Sequence, residues 1–444
     1  MRASAEASGP EPLLILGGGL IGLALAHELA RRGHTVTVLS RRRSEAAGFV
    51  AAGMLAPHAE GLRGPLLTLG QASLARVPGW VARIEADSGL GCGLRGSGIV
   101  VPFASEAERD AYPTASCGIP LDRAGLEREI DGIGPAWRAG LLFEQDGQID
   151  NRRRLMRALE RACVNRGVRF EEGCEVLELL SEAVSGEEGH PGAEPLAASA
   201  PEAPWPGATA ASLSDQAVQG YDLQESARQG SAQQHDTIKR DAGQPSPASR
   251  LSAVRLRRAE GEEIALPCRQ AVLCCGSWSA SLLPRLPVVP VKGQMLSLQG
   301  PIGALQRVLF GPGTYLVPRE DGLLVVGATS EPEAGFGEGL TPAGQRQLQA
   351  GIAALLPQAS AWPPMERWWG FRPCTPDQAP LLGAGPIEGL WLATGHHRNG
   401  VLLAAITAEL LGQAISDGAG LSPADRELLS HFRWDRFGAS SGSA

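Results

Sequence analysis

The chain has 444 residues, enough for about two or three domains with a substantial core. Hydrophobic residues make up 43% and charged residues 20%, the balance of an ordinary soluble globular protein. The formal net charge of −8 argues against a nucleic-acid partner, because binding to phosphate requires a basic surface.

The first predicted unit is a strand, a helix and a second strand. The stretch "LLILGGGLIGLALAHELARRGHTVTVLSRRR" predicts a strand at 13–16, a helix at 20–32 and a short β-branched strand at 34–40. A glycine turn joins the first strand to the helix.

This turn has the spacing G-x-G-x-x-G, formed by Gly17, Gly19 and Gly22. Between a strand and a helix the spacing indicates dinucleotide binding, since free N–H groups at a helix N-terminus favour a pyrophosphate. An acid for a ribose hydroxyl is expected at the end of the second strand, but Ser40 stands there, followed by arginines at 41–43. These residues suit either the 2′-phosphate of NADP or an FAD ribose held by a hydroxyl, and the local pattern leaves both open.

The next part of the chain changes from a weak pattern to a clear one. Residues 71–139 are mixed and loop-rich, whereas "DNRRRLMRALERACVNRGVRF" predicts a helix capped by Asp150 or Asn151. Gly167 ends this helix before a strand at 168–170. The apolar face of the helix consists of Leu155, Ala158, Leu159 and Cys163.

Residues 183–250 consist mainly of Ala, Ser, Gly, Pro, Gln and Glu, with almost no aliphatic periodicity. Such a segment buries too little apolar surface to offset its ordering entropy, so we predict a disordered insertion. A docking tail that recruits partners is the alternative. The insertion joins strands in "CEVLELL" and "SAVRLRR", so we expect its ends to be neighbours in a hairpin.

Strands dominate the second half. "RQAVLCCGSWS" predicts a buried strand, "VVPVKGQMLSL" another, and "TYLVPREDGLLVVGA" a hairpin turned at Asp321 and Gly322. Thr341 caps a helix that begins at Pro342, and "MERWWGFRP" is a further strand. "GLWLATGHHRNGVLLAAITAELLGQAI" returns to strand, glycine loop and apolar helix. This order predicts two interleaved domains.

The second glycine loop, at 393–403, favours FAD over NADP. An NADP-binding domain does not need this loop, whereas a second helix N-terminus can stabilise the negative charge of a reduced flavin. The small-residue loop "AAGMLAPHAEG" at 51–61 gives a planar ring close access to backbone. FAD is therefore the predicted cofactor, and no metal site is predicted.

Several features bear on the compartment. "MRASAEASGPE" at the N-terminus lacks the apolar core of a secretory signal, and the longest apolar run, 13–26, is too short to span a membrane. The eight cysteines form no C-x-x-C pair. We expect reduced thiols in a cytoplasmic protein without a membrane partner.

The chain resembles the D-amino-acid oxidase superfamily and, within it, the glycine oxidases of thiamin biosynthesis. The matching stretches lie in order and cover the chain except the insertion and the tails. They are "LGGGLIG", "AAGMLAPHAE", "DGQIDNRR", "VLCCGSWS", "PVKGQML", "TYLVPR", "GFRPCTPDQAPLLG" and "ATGHHRNGVLL". The family usually has an acid where Ser40 stands, and the insertion is not part of the family core.

The resemblance implies an α/β fold with a Rossmann-like FAD-binding domain interleaved with an antiparallel-sheet α+β substrate domain. The FAD-binding domain would comprise 11–70, 140–285 and 377–436, and the substrate domain 71–139 and 286–376.

The resemblance also implies the FAD-binding residues. Some surround the ADP moiety, others lie against the flavin, and one contacts the adenine side through its backbone (Val176). They are Gly17, Gly19, Leu20, Ile21, Gly22, Ser40, Arg41, Ala47, Gly48, Ala52, Gly53, Met54, Val176, His396, His397, Arg398, Asn399, Gly400, Val401 and Leu402.

Arg372, by resemblance, binds the carboxylate of an amino acid, which suits the planar fork of a guanidinium. The alternative is an arginine on the solvent face of its strand. Tyr315 could donate to the same carboxylate or simply reflect β-propensity, and Met54 could line the substrate site or fill the core. Arg398 is implied as a second positive group, and no catalytic base is assigned.

The implied reaction is FAD-dependent oxidation of glycine, with sarcosine and D-alanine as side substrates. It yields the imine, then glyoxylate and ammonia, and hydrogen peroxide from oxygen, and the imine can supply thiazole synthesis. Thiazole synthase is the implied protein partner and a homotetramer the implied assembly. The rivals are a related sarcosine, D-amino-acid or proline oxidase or dehydrogenase, a non-catalytic NADP-binding protein, and an interaction protein that acts through its insertion.

Overall fold

A computed structural model describes residues 12–184, 249–417 and 420–437. Apart from its ends, the predicted insertion lies outside the described residues. The strands of the described residues are, in chain order, β1 (Leu13–Leu16), β2 (Val36–Ser40), β3 (Met54–Leu55), β4 (Leu94–Arg95), β5 (Ile99–Phe103), β6 (Ile119–Leu121), β7 (Ala139–Phe143), β8 (Gly147–Ile149), β9 (Arg169–Glu172), β10 (Glu175–Ala183), β11 (Ser249–Arg257), β12 (Glu263–Pro267), β13 (Ala271–Leu273), β14 (Val289–Gln299), β15 (Val308–Gly311), β16 (Thr314–Pro318), β17 (Leu323–Gly327), β18 (Pro364–Cys374), β19 (Leu381–Ala384) and β20 (Leu390–Thr394).

The same ranges contain the following α-helices, two of which come directly after a glycine turn or a glycine loop. They are α1 (Leu20–Arg31), α2 (Gly64–Ser88), α3 (Glu106–Asp110), α4 (Arg123–Glu129), α5 (Met156–Asn165), α6 (Ser279–Leu282), α7 (Pro342–Leu355), α8 (Gly400–Ser416) and α9 (Pro423–Ser430).

A six-stranded sheet has the order β19-β20-β13-β1-β2-β9. It is parallel except for β19, which runs antiparallel to β20. Helices α1, α2, α5 and α8 pack against one another beside it, and their apolar side chains share one buried core with those of β1 and β2. A parallel sheet with buried faces is typical of dinucleotide-binding proteins.

An eight-stranded sheet has the order β18-β14-β17-β16-β15-β5-β7-β6. Its pairs are antiparallel except β15 with β5, and α7 packs on it over a second core. The chain enters this sheet from the parallel sheet at β5, returns to the parallel sheet at β9, and crosses between them again before β14 and after β18. This interleaving brings side chains from distant parts of the chain to one cavity.

Helix α2, at Gly64–Ser88, overlaps the region that we predicted to be loop-rich, and that prediction was wrong for 71–88. Pro78 and two glycines interrupt the helix-forming pattern. Packing overrides this weak propensity, because one face of the helix is buried against α5 and α8. The buried apolar side chains are Leu69, Val77, Trp80, Val81 and Ile84.

The predicted cap of α5 was also wrong. The side chain of Asp150 makes no capping hydrogen bond, and a π-helical turn at Asn151–Leu155 precedes the α-helix. The amide of Asn151 instead donates to the carbonyl of Gly48, and the Asp150 carboxylate pairs with Arg153 at 2.8 Å. Asn151 is therefore used in a tertiary contact and Asp150 in a local ion pair.

Two other local predictions were confirmed. Strands β16 and β17 form the expected hairpin, with Gly322 at φ 80° in its turn. Thr341 caps α7, because its Oγ1 accepts a hydrogen bond from the N–H of Gly344 at 3.1 Å.

One helical stretch in the described ranges, His397–Ser416, consists of α8 and the turn of helix before it and is long and apolar enough by composition to cross a membrane, with a mean hydropathy of 1.3. This corrects the expectation that no apolar run reaches that length. In the fold, 78% of its most apolar window is buried, and core helices pass the same test.

All eight cysteines lie within the described ranges and are free thiols. Burial raises the pKa of the Cys374 thiol, beside the substrate strand β18, to about 11.

Candidate functional site

A cavity of about 1350 Å³ is lined by residues from both large sheets. Pockets for one drug-sized ligand usually measure roughly 300–1,000 Å³. The cavity therefore has room for a dinucleotide together with a small substrate.

One end of the cavity is the turn between β1 and α1. Gly17 has φ 116°, and a Cβ there would lie 2.5 Å from the carbonyl oxygen of Cys274. Gly19 precedes α1, whose first turn holds no acidic residue, so its free N–H groups favour an anion. Gly22 does not line the cavity. A Cβ on it would lie 1.9 Å from the carbonyl oxygen of Gly17, so this glycine lets the helix pack tightly on the turn.

Ser40, at the end of β2, is buried and lies on the cavity wall. The three arginines that follow it are paired with carboxylates of the chain. These pairs are Arg41 with Glu45 at 3.0 Å and Glu175 at 3.3 Å, Arg42 with Glu45 at 2.5 Å, and Arg43 with Glu160 at 3.0 Å and with Glu172. Acids of the chain therefore already offset part of the positive charge that would attract a 2′-phosphate.

The loop at 46–54 brings backbone to the cavity. Gly53 has φ 84°, and a Cβ there would lie 2.0 Å from the carbonyl oxygen of Ile149. The guanidinium of Arg319 donates to the carbonyl of Ala52 and, at 2.8 Å, to Gln148. The loop is thus held by buried hydrogen bonds rather than left free.

The second glycine loop leads into α8. His396 Nε2 lies 3.1 Å from Thr407 Oγ1, and burial lowers the pKa of His396 to about 3. His397 adopts φ 45°, and burial also lowers its pKa. Both rings are therefore neutral at physiological pH and can act as hydrogen-bonding groups, not as charged acids.

Most residues implied to bind FAD or substrate line this cavity. They are Gly17, Gly19, Leu20, Ile21, Ser40, Arg41, Ala47, Gly48, Ala52, Gly53, Met54, Val176, Tyr315, Arg372, His396, His397, Arg398, Gly400 and Val401. Gly22, Asn399 and Leu402 do not. The carbonyl of Leu402 accepts a hydrogen bond from Ser73 at 2.5 Å, which ties α8 to α2.

Arg372 lies on β18 with its guanidinium at the cavity wall rather than on a solvent face. It lies over Gly293 of β14, where a Cβ would be 2.3 Å from Arg372 Nη1. Nη1 donates to the carbonyl of Thr329 at 3.1 Å. Within the described ranges Arg372 forms no ion pair with a carboxylate, so its remaining N–H groups can donate to the carboxylate of a ligand.

Tyr315 lies beside Arg372. Burial raises the pKa of its phenol, and the positive charge of Arg372 opposes that shift. Its hydroxyl also lies 3.5 Å from the sulfur of Met295. A neutral phenol next to the guanidinium can donate to the same carboxylate.

Glu60 was missed by the sequence reasoning. Its side chain is 6% exposed, lines the cavity, and places Oε2 3.5 Å from Nε of Arg398. Burial raises the pKa of Glu60, while Arg398 and then Arg372 lower it. The available signal was its position as the acid that ends the small-residue stretch "AAGMLAPHAE".

A buried acid holds the loop that carries Glu60. Asp146 accepts hydrogen bonds from the backbone N–H of His58 at 3.2 Å and of Ala59 at 2.8 Å. The other carboxylate oxygen lies 2.6 Å from His58 Nδ1. The backbone next to Glu60 is therefore fixed against the β7–β8 turn.

Comparison with known proteins gives one family. The model of the FAD dependent oxidoreductase family (DAO) matches residues 13–200 and 233–414. The Bifunctional protein ThiO/ThiG of Synechocystis sp. is 38% identical over 91% of this chain and 51% of its own length. The chain thus spans about half the length of such relatives.

One relative is matched over most of its own length. The glycine oxidase of Geobacillus kaustophilus is 27% identical over 90% of this chain and 92% of its own. Its crystal structure has a TM-score of 0.72 over 96% of this chain and 98% of that chain, at 24% identity. The L-proline dehydrogenase structure from P.horikoshii has a TM-score of 0.70 at 14% identity, a likeness of fold alone.

Proposed function

The chain belongs to the family of FAD-dependent oxidoreductases, and from this premise we propose that it oxidises glycine. The predicted fold class, a D-amino-acid oxidase-like α/β architecture, is confirmed, as is FAD as the cofactor. Relatives named glycine oxidase support the choice of substrate.

The cavity residues fit FAD. The turn at Gly17 would receive the pyrophosphate, and Gly53 with the second glycine loop would lie along the ring system. Buried polar atoms on the wall lack partners within the described residues, among them Ser277 Oγ and His397 Nδ1. When bound, FAD supplies the two-electron acceptor for the oxidation.

The observation that carries glycine as the substrate is the position of Arg372. Glycine has no side chain, so its carboxylate must provide most of its orientation. A guanidinium that pairs with no carboxylate of the described residues, with Tyr315 beside it, suits that task. Positioning does most of the work, because the α-carbon needs only to face the acceptor with a neutral amine. No residue of the chain is assigned as a base.

The products follow from this chemistry. Glycine loses two electrons and two protons to form its imine, which water converts to glyoxylate and ammonia. Oxygen takes the electrons and becomes hydrogen peroxide. Sarcosine and D-alanine are proposed as slower substrates.

We also propose a setting for the reaction. The imine would supply the thiazole of thiamin in the cytoplasm, with thiazole synthase as the receiving partner. The name ThiO/ThiG of relatives about twice as long supports a second enzyme as a partner. A homotetramer, noncovalent FAD and the domain division given above belong to the same proposal.

Oxygen consumption measured across glycine, sarcosine, D-alanine and proline tests the assignment. We expect the highest kcat/KM with glycine, and one hydrogen peroxide and one glyoxylate per oxygen consumed. A preference for proline or a larger D-amino acid would assign the chain to a related oxidase instead. Titration of the protein with NADP addresses the non-catalytic rival, which predicts tight binding and no flavin.

A further inference from the structure

The charged groups at the substrate end of the cavity carry an inference about specificity. Arg372 and Arg398 are both close enough to Glu60 to lower its pKa, and the same two guanidiniums act on Tyr315. Four side chains from β18, β16, the loop before α8 and the loop after β3 therefore meet at one place.

The pairing among these groups is unequal. Glu60 Oε2 lies 3.5 Å from Arg398 Nε, within ion-pair distance, and accepts no hydrogen bond from the described residues. Glu60 is 6% exposed and Arg398 46%, so the acid lies inside and the arginine towards solvent. Arg372 has a backbone carbonyl as its partner and keeps its charge for a ligand.

Two further charged residues lie on this part of the cavity wall, and they affect a ligand less than Glu60 and the two arginines do. Arg63 and Glu108 also line the cavity. Arg63 is exposed, Glu108 is half-buried and their charges are opposite in sign, so water and each other's charge weaken their effect inside the cavity. One buried carboxylate thus cancels one of the two arginines.

We propose that Glu60 is a specificity-determining residue, which neutralises Arg398 and so restricts the site to amino acids with a single carboxylate. The inference rests on the proposed function, because it takes Arg372 as the anchor of an amino-acid substrate. A second carboxylate on the ligand would meet Glu60 and be repelled. With Glu60 neutral, Arg398 would be free to bind it.

The test compares two ligands that lack an amine and are not oxidised. Methoxyacetate has one carboxylate, and diglycolate carries a second one in place of a methyl hydrogen. Dissociation constants are measured on the holoenzyme from the change in the flavin spectrum. They are measured at neutral pH and again at higher pH, because burial raises the pKa of Glu60 and the wild-type preference depends on its ionised carboxylate. The wild type should bind methoxyacetate more tightly.

Glu60→Gln should shift the preference towards diglycolate by roughly tenfold or more, the size of one added charge-assisted hydrogen bond. Glu60→Gln combined with Arg398→Gln should return it to the wild-type value. Glu409→Gln is the matched control. Glu409 lies away from the cavity, paired with Arg76 at 2.9 Å, so its substitution should leave the ligand preference unchanged.

An unchanged preference in Glu60→Gln, or a wild type that already favours diglycolate, would overturn the proposal. If Glu60→Gln does not retain FAD, the single variant Arg398→Gln replaces it in the test. In that variant the charge of Glu60 is no longer compensated and should weaken the binding of methoxyacetate. Unaltered binding would contradict the inference. These titrations need no turnover. A protein that fails to oxidise glycine therefore refutes the proposed function through a separate measurement.

Discussion

At the residue scale, the proposed oxidation of glycine depends most on the guanidinium of Arg372. Arg372→Ala should retain the flavin spectrum and raise the KM for glycine by about one order of magnitude or more, as the loss of about 1.5–3 kcal/mol implies. Steady-state kinetics with glycine provide the measurement. Arg372→Lys should recover only part of the lost affinity for glycine, because an ammonium group is a point charge and cannot form the two parallel hydrogen bonds of a guanidinium.

Methylamine serves as the control substrate for this prediction. It lacks a carboxylate, so any activity with it should be equal in the wild type and in Arg372→Ala. Near-normal glycine kinetics in the alanine variant would place the anchor elsewhere, and Arg398 would be the next arginine to test.

Gly53 gives a second prediction at this scale. A Cβ at this position would lie 2.0 Å from the carbonyl oxygen of Ile149, in a backbone with φ 84°. Gly53→Ala should therefore displace the 46–54 loop and lower FAD occupancy in the purified protein, measured from the ratio of flavin to protein absorbance.

Gly33→Ala is the matched control for that variant. Gly33 has a similar φ of 89°, but a Cβ there would meet no atom within 4 Å. Both variants carry backbone strain, and only Gly53→Ala adds the clash. Equal FAD occupancy in the two variants would show that the close approach at Gly53 is not required.

The residues differ in how far the sequence could reveal them. Gly17 and Gly19 stand in a recognisable spacing between a strand and a helix, so local pattern was enough to place them on the cavity. The role of Glu60 depends on its ion pair with Arg398, which is far away in the chain, and the role of Asp146 depends on its hydrogen bond with the backbone of His58. Such pairs form only in the folded chain, and no local spacing shows them.

At the element scale, Asp87 joins three helices. This residue of α2 accepts from His27 and Arg31 of α1, both at 2.8 Å, and from Arg166 after α5 at 2.9 Å. Asp87→Asn should lower the free energy of unfolding by about 1–3 kcal/mol, because buried His27 loses a charged partner. Urea denaturation of the holoenzyme measures this difference.

The loss of stability in Asp87→Asn should become smaller as the pH falls into the acid range. The hydrogen bond from Arg166 holds the pKa of Asp87 below its ordinary value of 3.8, so its stabilisation is complete above that value and is lost as the pH falls below it. The wild type and the variant should therefore differ at neutral pH and converge in acid. Asp110→Asn, at an aspartate 67% exposed, should have no measurable effect, and an equal loss there would contradict the role of Asp87.

The elements themselves were predictable where one local signal dominated. The hairpin turned at Gly322 and the helix capped by Thr341 each follow from turn or cap chemistry within a few residues. Helix α2 could not be predicted from local signals, because Pro78 weakens its local pattern and its stability comes from packing on α5 and α8.

At the scale of the whole molecule, two sheets share one cavity, and the described residues that flank 185–248 do not line it. Strands β10 and β11, on either side of it, pair antiparallel, with Ala183 opposite Ser249. Replacing 185–248 with a short Gly-Ser turn should cost little stability, because loop-closure entropy changes slowly with length. FAD content and glycine turnover of the variant provide the measurement.

A folded deletion variant that loses flavin or activity would give this segment a role in the site. A variant that keeps both but no longer associates with a partner enzyme would support its use as a docking tail.

The interleaved architecture was foreseeable from the order of β-α-β, antiparallel strands and a return to strand–loop–helix. The distribution of charge inside the cavity was not, since it depends on which acids compensate which arginines. The guanidiniums at 41–43 illustrate this, because their sequence suits a phosphate, whereas in the fold carboxylates already offset part of their charge.

The central claim is that this chain holds FAD and uses it to oxidise glycine. Anaerobic addition of glycine to the purified holoenzyme tests it most directly, because the result does not depend on which acceptor reoxidises the flavin. We predict that the visible absorbance of oxidised flavin is bleached by glycine and that glyoxylate forms in an amount equal to the flavin. A flavin spectrum that glycine leaves unchanged, while another small amine bleaches it, would contradict the claim.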